Sequence, residues 1–483
     1  MPASLEAAKI ALMDSSIDWA MVNGLMIHPT DKDSGVARPI HTPFALLPSP
    51  YPLEQYQLAH VLQPVINLLI EQVANDSIFL ESVFNGVATV DEFTRRLYNI
   101  YLETLRQPQR QTIRLGIHRS DYLLHSEASD LTPKLLQVEV NTISAGLPSL
   151  STIVSRLHKY TLESCALPSL LQMESFPNAT LPSSESLDVV ADGLGSAWKL
   201  YDRPKSVIVM VVQPVEFNIF DQRWIEYTVR GKFNVPILRK TLSEIHSESR
   251  LEGSDNRLFI GKDEVAVVYF RAGYTPRDYP TENEWSARTL LELSNAIKCP
   301  NIAYHLAGSK KIQQTLAASG VLERFISDTK DVETLKSTFT GLYPLDETVE
   351  GIAALEMAVA EPEKFVLKPQ REGGGNNLYG IEIRHALQSM SSQERKAYIL
   401  MDRIVPPTFH ASVVRERQMH EREVVSELGV FGVWLSDGPV IHKNLIAGHL
   451  LRTKSASVDE GGVATGIAVI DTPLLISGLT YPC

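Results

Sequence analysis

The chain has 483 residues, 44% hydrophobic and 21% charged, with a net charge of −12 from 45 basic and 57 acidic residues. That length calls for two or three folding units, and the negative field opposes nucleic acid and anionic membranes as general partners. Cys165, Cys299 and Cys483 are far apart and form no metal-binding pair, which suits a reducing, cytoplasmic setting rather than a disulfide framework.

The N-terminal segment carries acidic residues early and has no uninterrupted apolar core, so it does not read as a signal peptide. No run approaches the roughly 18 apolar residues of a membrane span. Leu58, Val61, Leu62, Val65, Ile66, Leu69, Ile70 and Val73 predict a helix over 58–73, kinked or broken at Pro64. Phe93, Leu97, Ile100 and Leu105 predict a second, and both read as core. The period then changes to two. Ile113, Leu115 and Ile117 predict a strand ending at Arg119–Tyr122. Leu136, Val138 and Val140 predict another, with Gln137, Glu139 and Asn141 on its opposite face.

Ser/Pro-rich sequence at 174–187 reads as a linker. The apolar runs Ser206–Val212 and 264–270 predict strands buried on both faces, and 284–298 reads as helical. Alternating strands and helices imply a parallel sheet. Residues 364–368, 398–401, 423–433 and 439–444 predict later strands. The fold class is therefore α/β.

Three segments carry chemistry. In KPQREGGGNNLYG (368–380), three consecutive glycines let backbone N–H groups approach an anion. Lys368 and Glu372 flank them, a combination that fits a loop over phosphates and Mg²⁺; a glycine run alone would equally suit a surface turn. The GxxxxGK[ST] phosphate loop is absent, although Gly308-Ser309-Lys310 resembles its tail. Glu139 and Asn141 offer hard oxygen ligands two apart on one strand, which suits Mg²⁺ if Glu372 adds a third carboxylate; as an isolated pair they suit a solvent-facing polar edge better. Arg452-Thr453-Lys454, followed by the small-residue stretch 460–466, fits a carboxylate clamp that admits a small substrate; the same pattern also suits a plain hairpin with a glycine turn. His118, His305, His442 and His449 have no nucleophilic partner at a catalytic spacing and read as structural or exposed.

Ten segments taken in order resemble the eukaryotic glutathione synthetases: RSDY (119–122), QVEVNTIS (137–144), NIFDQR (218–223), VVYFRAGY (267–274), LAGSKKIQQ (306–314), FVLKPQREGGGNNLYG (365–380), YILM (398–401), SELG (426–429), LLRTK (450–454) and EGGVATG (460–466). The likeness runs from near the N-terminus to about residue 471. It implies an ATP-grasp fold with an inserted parallel-sheet substrate domain and a lid. The expected units are an N-terminal part of the body at 1–204, the insert at 205–308, and a C-terminal part at 309–483 with a lid at about 335–422. It further implies a cytosolic homodimer, ATP as substrate and two Mg²⁺ per site. The reaction joins γ-glutamylcysteine to glycine through an acyl phosphate, and no protein nucleophile is needed.

The resemblance also assigns residues. Glu139, Asn141 and Glu372 are expected to bind Mg²⁺. ATP contacts are expected from Glu139, Lys310, Lys368, Glu372, Gly373, Gly374, Gly375, Asn376, Asn377, Tyr379, Met401, Asp402, Arg403, Ile404, Glu427, Lys454 and Glu460. The peptide site is expected to include Arg119, Ile143, Ser144, Ala145, Gly146, Glu216, Phe217, Asn218, Gln222, Arg271, Ala272, Gly273, Tyr274, Arg452, Val463 and Ala464. Arg452, Lys368 and Lys310 are expected to be catalytic, with Arg452 stabilising the transition state through its fork of donors. The sequence departs from the family at Gly146 within Gly146-Leu147-Pro148-Ser149, at Phe217 where arginine is common, at Ala272 and at Thr465. These changes gather at the peptide sites. The resemblance implies glutathione synthesis first; these departures motivate the alternatives, a ligase with an altered donor or acceptor of the homoglutathione type or a weakly catalytic effector-like relative.

Overall fold

The alternation begun at Ile113 extends further than its pattern suggests. In the computed structural model, which describes residues 3–29, 38–108, 110–127, 132–164, 178–371, 375–463 and 466–481, the strand runs Ile113–His125 instead of ending at Arg119–Tyr122. Leu115 to Tyr122 are all buried, because both faces of the strand are covered. Cys165 and Cys483 lie outside the described residues, and Cys299 is a buried free thiol.

This strand belongs to a seven-stranded main sheet ordered Phe409–Arg415, Phe44–Ala45, Val469–Asp471, Val440–Ser455, Gln418–Asp437, Ile113–His125, Lys134–Asn141. The strands predicted at 423–433 and 439–444 are inner parts of the two longest. Gln418–Asp437 pairs with Phe409–Arg415 along its first part and with Ile113–His125 along its second. The sheet thereby closes partly on itself, and side chains near that strand's middle are enclosed.

The helix predicted at 58–73 runs Leu53–Asn75 and is continuous through Pro64. Its Leu62, Ile66, Leu69, Ile70 and Val73 are buried, whereas Val61 is 65% exposed. The Pro64 carbonyl accepts from Asn444 Nδ2 at 3.0 Å, a tertiary bond to the main sheet. Glu92–Arg106 is capped by Asp91, whose Oδ1 accepts from Thr94 N at 2.8 Å. Leu105, expected in the core, is exposed.

The expected linker at 174–187 is not a solvated one where it is described. Thr180 pairs with Leu475, and Ser184 and Ser186 are buried in a hydroxyl cluster with Ser151 before the helix Ser186–Tyr201. Serine reads as a loop residue in sequence, but here its hydroxyls are satisfied internally.

A second, six-stranded sheet spans Val207 to Cys299. Ile237–Lys240, Val207–Val211, Asp263–Phe270 and Ile297–Cys299 are parallel, as expected. Arg257–Ile260 and Ser249–Glu252 join antiparallel, so the sheet is mixed. The helix predicted at 284–298 is Glu282–Leu293; its predicted end is instead the edge strand Ile297–Cys299.

The small sheet has four antiparallel strands, Leu342–Tyr343, Tyr398–Asp402, Phe365–Pro369 and Leu378–Tyr379. It keeps its own core of Leu345, Ala354, Ala358, Phe365, Leu367, Ile383, Leu387 and Leu400, shared with helices Val349–Ala360 and Ile381–Ser389. The molecule is thus mixed α/β with several sheets. Among the described residues, no helix is long and apolar enough to cross a membrane.

Candidate active site

The strand Lys134–Asn141 meets Ile113–His125 with an irregularity. Asp121 pairs with Glu139 and Tyr122 with Gln137, leaving Val138 as the extra residue of a bulge. The bulge resets the alternation. Gln137, expected to share a face with Glu139 and Asn141, is buried and lines a small separate cavity with Val140. Val138 gains a different use: its main-chain oxygen accepts from Lys368 Nζ at 3.1 Å and Gln313 Nε2 at 3.2 Å.

Glu139 faces the opposite way, into a cavity of about 480 Å³ between the small sheet and the main sheet. Its Oε2 lies 3.2 Å from Lys310 Nζ. Lys310 opens the helix Lys310–Leu316, which Ser309 caps through its hydroxyl. The sequence resembling a phosphate-loop tail is therefore a helix cap. Gly308 is required there because a Cβ would come within 2.3 Å of Thr142 Oγ1.

The cavity wall contains Glu139, Lys310, Lys368, Asn377, Tyr379, Met401, Asp402, Arg403, Ile404, Glu427, Lys454 and Glu460, together with Arg452. Leu123, Val366 and Val425 add apolar surface. Gly375 and Asn376 precede Asn377 without lining the cavity, and Glu372, Gly373 and Gly374 lie outside the described residues. Glu460 ties the glycine-rich segment to the loop that follows the strand Val440–Ser455. Its carboxylate accepts from the main-chain N–H groups of Gly375 and Asn377, the latter at 3.2 Å, and from Tyr379 Oη at 3.0 Å. Nearby, Asp459 pairs with Arg403 at 2.6 Å and accepts from Lys454 Nζ through its main-chain oxygen.

Charge in the cavity is balanced locally. Burial opposes ionisation of Glu139, but Lys310, Lys368 and Arg452 outweigh it and hold the carboxyl at about 2. Burial lowers Lys368 below the ordinary lysine range, opposed by Glu139. Burial raises Glu427, opposed by Arg452, and lowers Lys454, opposed by Glu427 and Glu460. The predicted structural histidines behave as such: burial depresses His118 and His449 to about 3, and His305 also falls well below its usual range. They stay neutral at physiological pH. His442 is exposed.

Arg452 and Glu427 are directly opposed on neighbouring strands and hydrogen-bonded. The same Arg452 Nη2 donates to Asp121 Oδ2 at 2.9 Å. Asp121 also receives Arg119 through Nε at 2.6 Å and Nη2 at 2.8 Å, and Asn141 Nδ2 at 2.9 Å. Gly429, the glycine of SELG, sits across from Asp121 in register. A Cβ there would stand 2.8 Å from Asp121 Oδ1 and 2.9 Å from Arg119 Cδ.

Beyond Arg119, the expected peptide residues form a second cluster. Arg119 Nη1 donates to Gly146 O at 3.1 Å. Ser144 has φ 52° and bonds Phe270 O at 3.2 Å, while Ile143 and Ala145 are buried. Arg271 Nη2 pairs with the fully buried Asp221 at 3.1 Å. Asp221 also accepts from the main-chain N–H groups of Leu147 and Ser149 and from Asn218 Nδ2. Gln222 accepts from Arg239 at 2.6 Å. The chain turns at Gly273, φ 91°, after the buried Ala272, and Asp278 accepts from the N–H groups of Gly273 and Tyr274. Glu216 Oε2, Asn218 Oδ1, Arg271 Nε and Arg452 Nε are buried without a protein partner.

Phe217 departs from this pattern. Its side chain is 37% exposed, and its main-chain oxygen is tied to His28 N. A Cβ at Gly146 would lie 3.4 Å from Arg271 Nη2, so the missing side chain leaves space beside that guanidinium. Val463 is buried, and Ala464 and Thr465 lie outside the described residues.

For a metal, the donor set is oxygen-rich. Only the nitrogen of the Asn141 amide can donate to Asp121, so that bond directs the amide oxygen elsewhere. With the Glu139 carboxylate it makes two hard ligands suited to Mg²⁺. The described residues alone hold no group of three or more His, Cys, Asp or Glu poised for a metal, and the third expected ligand is Glu372.

Sequence reasoning missed Asp121 and Asp221, although both lie inside the motifs quoted, RSDY and NIFDQR. The available signal at Asp121 was an acid inside a strand that proves largely buried, whereas Asp221 lies on a helix of which only Asp221, Gln222, Ile225 and Val229 are buried, and it carried no such signal.

The sequence model of the family described as eukaryotic glutathione synthase, ATP binding domain, matches residues 6–475. The chloroplastic glutathione synthetase of Arabidopsis thaliana is 41% identical over 472 residues, covering 96% of this chain and 85% of its own. The glutathione synthetase of Homo sapiens is 40% identical over 465 residues and 96% of each chain. A solved apo structure of a glutathione synthetase-like effector from Globodera pallida superposes with TM-score 0.74 at 21% identity over 97% of each chain, a likeness of fold.

Proposed function

The chain belongs to the eukaryotic glutathione synthase family and is an ATP-binding ligase that forms glutathione; from that premise we propose how its own residues do so. The substrates are γ-glutamylcysteine, glycine and ATP. A cysteinyl carboxylate oxygen attacks the γ-phosphorus of ATP and ADP leaves. The glycine amine then attacks the acyl carbon, loses a proton, and inorganic phosphate leaves with the oxygen that had bridged carbon and phosphorus.

The observation that carries this reading is the cation set Lys310, Lys368 and Arg452 around Glu139 in one cavity between two sheets. Phosphoryl transfer to a carboxylate brings anions together, so charge neutralisation and positioning do most of the catalysis. Lys310, Lys368 and Lys454 hold the nucleotide phosphates. Leu123, Val366, Met401 and Val425 cover the adenine. Arg452 bonds the transferring phosphoryl group, and its unpartnered Nε gives it a free donor. Arg119, Glu216, Asn218 and Arg271 hold the donor peptide: its carboxylates suit the two guanidiniums, and its amine suits the buried, unpaired oxygens of Glu216 and Asn218. Glu139, Asn141 and Glu372 would hold two Mg²⁺, which supply charge neutralisation at the phosphates. A nucleotide between two sheets is the arrangement of an ATP-grasp fold, with the body at 1–204 and 309–483, the insert at 205–308 and the lid at about 335–422. The enzyme works as a cytoplasmic homodimer.

Omission assays test this. ADP release is expected only when both γ-glutamylcysteine and glycine are present with ATP and Mg²⁺; release independent of the dipeptide would overturn it. A second reading keeps the ligase and alters the donor, favoured by the space that Gly146 leaves beside Arg271. Comparing γ-glutamylcysteine with bulkier γ-glutamyl dipeptides decides it, and a preference for a bulkier donor would replace the first reading.

A further inference from the structure

One carboxylate joins the parts of the site that the proposed function treats separately. Asp121 has no exposed surface. Its two oxygens take four hydrogen bonds: two from Arg119, one from Arg452 and one from Asn141. On the reading above, these three side chains serve the donor peptide, the transferring phosphoryl group and a metal. Burying a carboxylate is costly unless it is paired and fully hydrogen-bonded, and Asp121 meets both conditions only while all three partners are in place. The surroundings are shaped for it. The sheet places Asp121 beside Glu139 on one side and Gly429 on the other, and any side chain at 429 would strike the Asp121 carboxylate or Arg119.

We propose that Asp121 is the positioning residue that sets Arg119, Asn141 and Arg452 in a common geometry, coupling the peptide end of the site to the phosphoryl end. It need not touch substrate. For the arginines it fixes the direction of each guanidinium fork. For Asn141 it fixes the amide so that oxygen rather than nitrogen faces the metal side. This rests on the proposed function, because it assigns no new role to the three partners.

Asp121→Asn tests it with almost no change of shape. An amide keeps one acceptor and turns an N–H toward a guanidinium, so the four bonds cannot all re-form. Steady-state kinetics are measured for wild type and variant with each substrate and Mg²⁺ varied, alongside thermal unfolding. The expected result is a kcat lower by about 10- to 100-fold. The KM for γ-glutamylcysteine and the half-saturating Mg²⁺ concentration should rise about tenfold, with the KM for ATP within about twofold of wild type. A purely structural role would lower kcat through a smaller active fraction and leave every KM unchanged; that outcome overturns the proposal, as does unaltered kinetics. Should the asparagine variant not fold, Asp121→Ala is read by the same split. Absence of ADP-forming ligation in the wild type would instead sink the proposed function, so the two failures are distinguishable.

Discussion

Glu427 and Arg452 stand directly across from one another on antiparallel neighbours, and the Arg452 guanidinium spans from Glu427 to Asp121 at 2.9 Å. An arginine gripped by two carboxylates is held charged and oriented: burial opposes its charge, yet Glu427, Asp121 and Glu139 raise its pKa further. That fixed fork is what a dispersing phosphoryl charge requires, because it needs no reorganisation during the reaction.

Arg452→Lys keeps the charge and loses the fork. We expect kcat for ADP release to fall by about 100-fold or more, with a smaller effect on the KM for ATP. Near-normal kinetics in the folded variant would remove Arg452 from the phosphoryl site.

Lys368→Met removes one of the three cations around Glu139 and the bond to the Val138 oxygen. The Glu139 carboxyl should then rise from about 2 toward its ordinary range. ATP affinity, followed by equilibrium binding of a non-hydrolysable ATP analogue, should drop by about tenfold or more, in line with the loss of a charge-assisted bond. Unchanged affinity would place the nucleotide elsewhere.

Gly429→Ala adds one methyl group against Asp121 and Arg119. The pair must shift, so the KM for γ-glutamylcysteine should rise and kcat fall. Overpacking of this kind costs about 1–3 kcal/mol, which unfolding by denaturant can measure. A variant with normal kinetics would mean that the arginine's position is not critical.

Asp471 sets a pH dependence of stability. Burial raises its carboxyl from 3.8 to about 6, although Ser49 and Thr453 donate to it. The folded chain therefore binds this proton more tightly than the unfolded chain. Its stabilising contribution is complete below about 3.8 and is lost as pH rises toward about 6. The full effect is about 3 kcal/mol. Asp471→Asn should gain stability relative to wild type across that window in thermal unfolding; a difference independent of pH would contradict the assignment.

Much of this was legible in the sequence because local chemistry and local geometry coincide. The strand Phe365–Pro369 leading to the glycine-rich segment, and the paired Glu139 and Asn141, follow from residue type and period alone. The wall residues Lys310, Met401, Glu427 and Lys454 came from the family resemblance, since no period brings four distant segments together. What escaped was non-local. The bulge at Val138 depends on pairing with Asp121 and Tyr122, and it moved Gln137 off the expected face. Asp121 itself sits in a strand that continues beyond its apparent end because both faces are covered. The buried Ser184 and Ser186 cluster looks like linker sequence until Ser151 is packed against it.

The central claim is an acyl phosphate formed on the cysteinyl carboxylate. It is tested most directly with γ-glutamylcysteine carrying oxygen-18 in that carboxylate, incubated with ATP, Mg²⁺ and glycine. The account predicts one labelled oxygen in each inorganic phosphate released, since the attacking oxygen departs with the phosphorus. Unlabelled phosphate alongside labelled peptide product would contradict it.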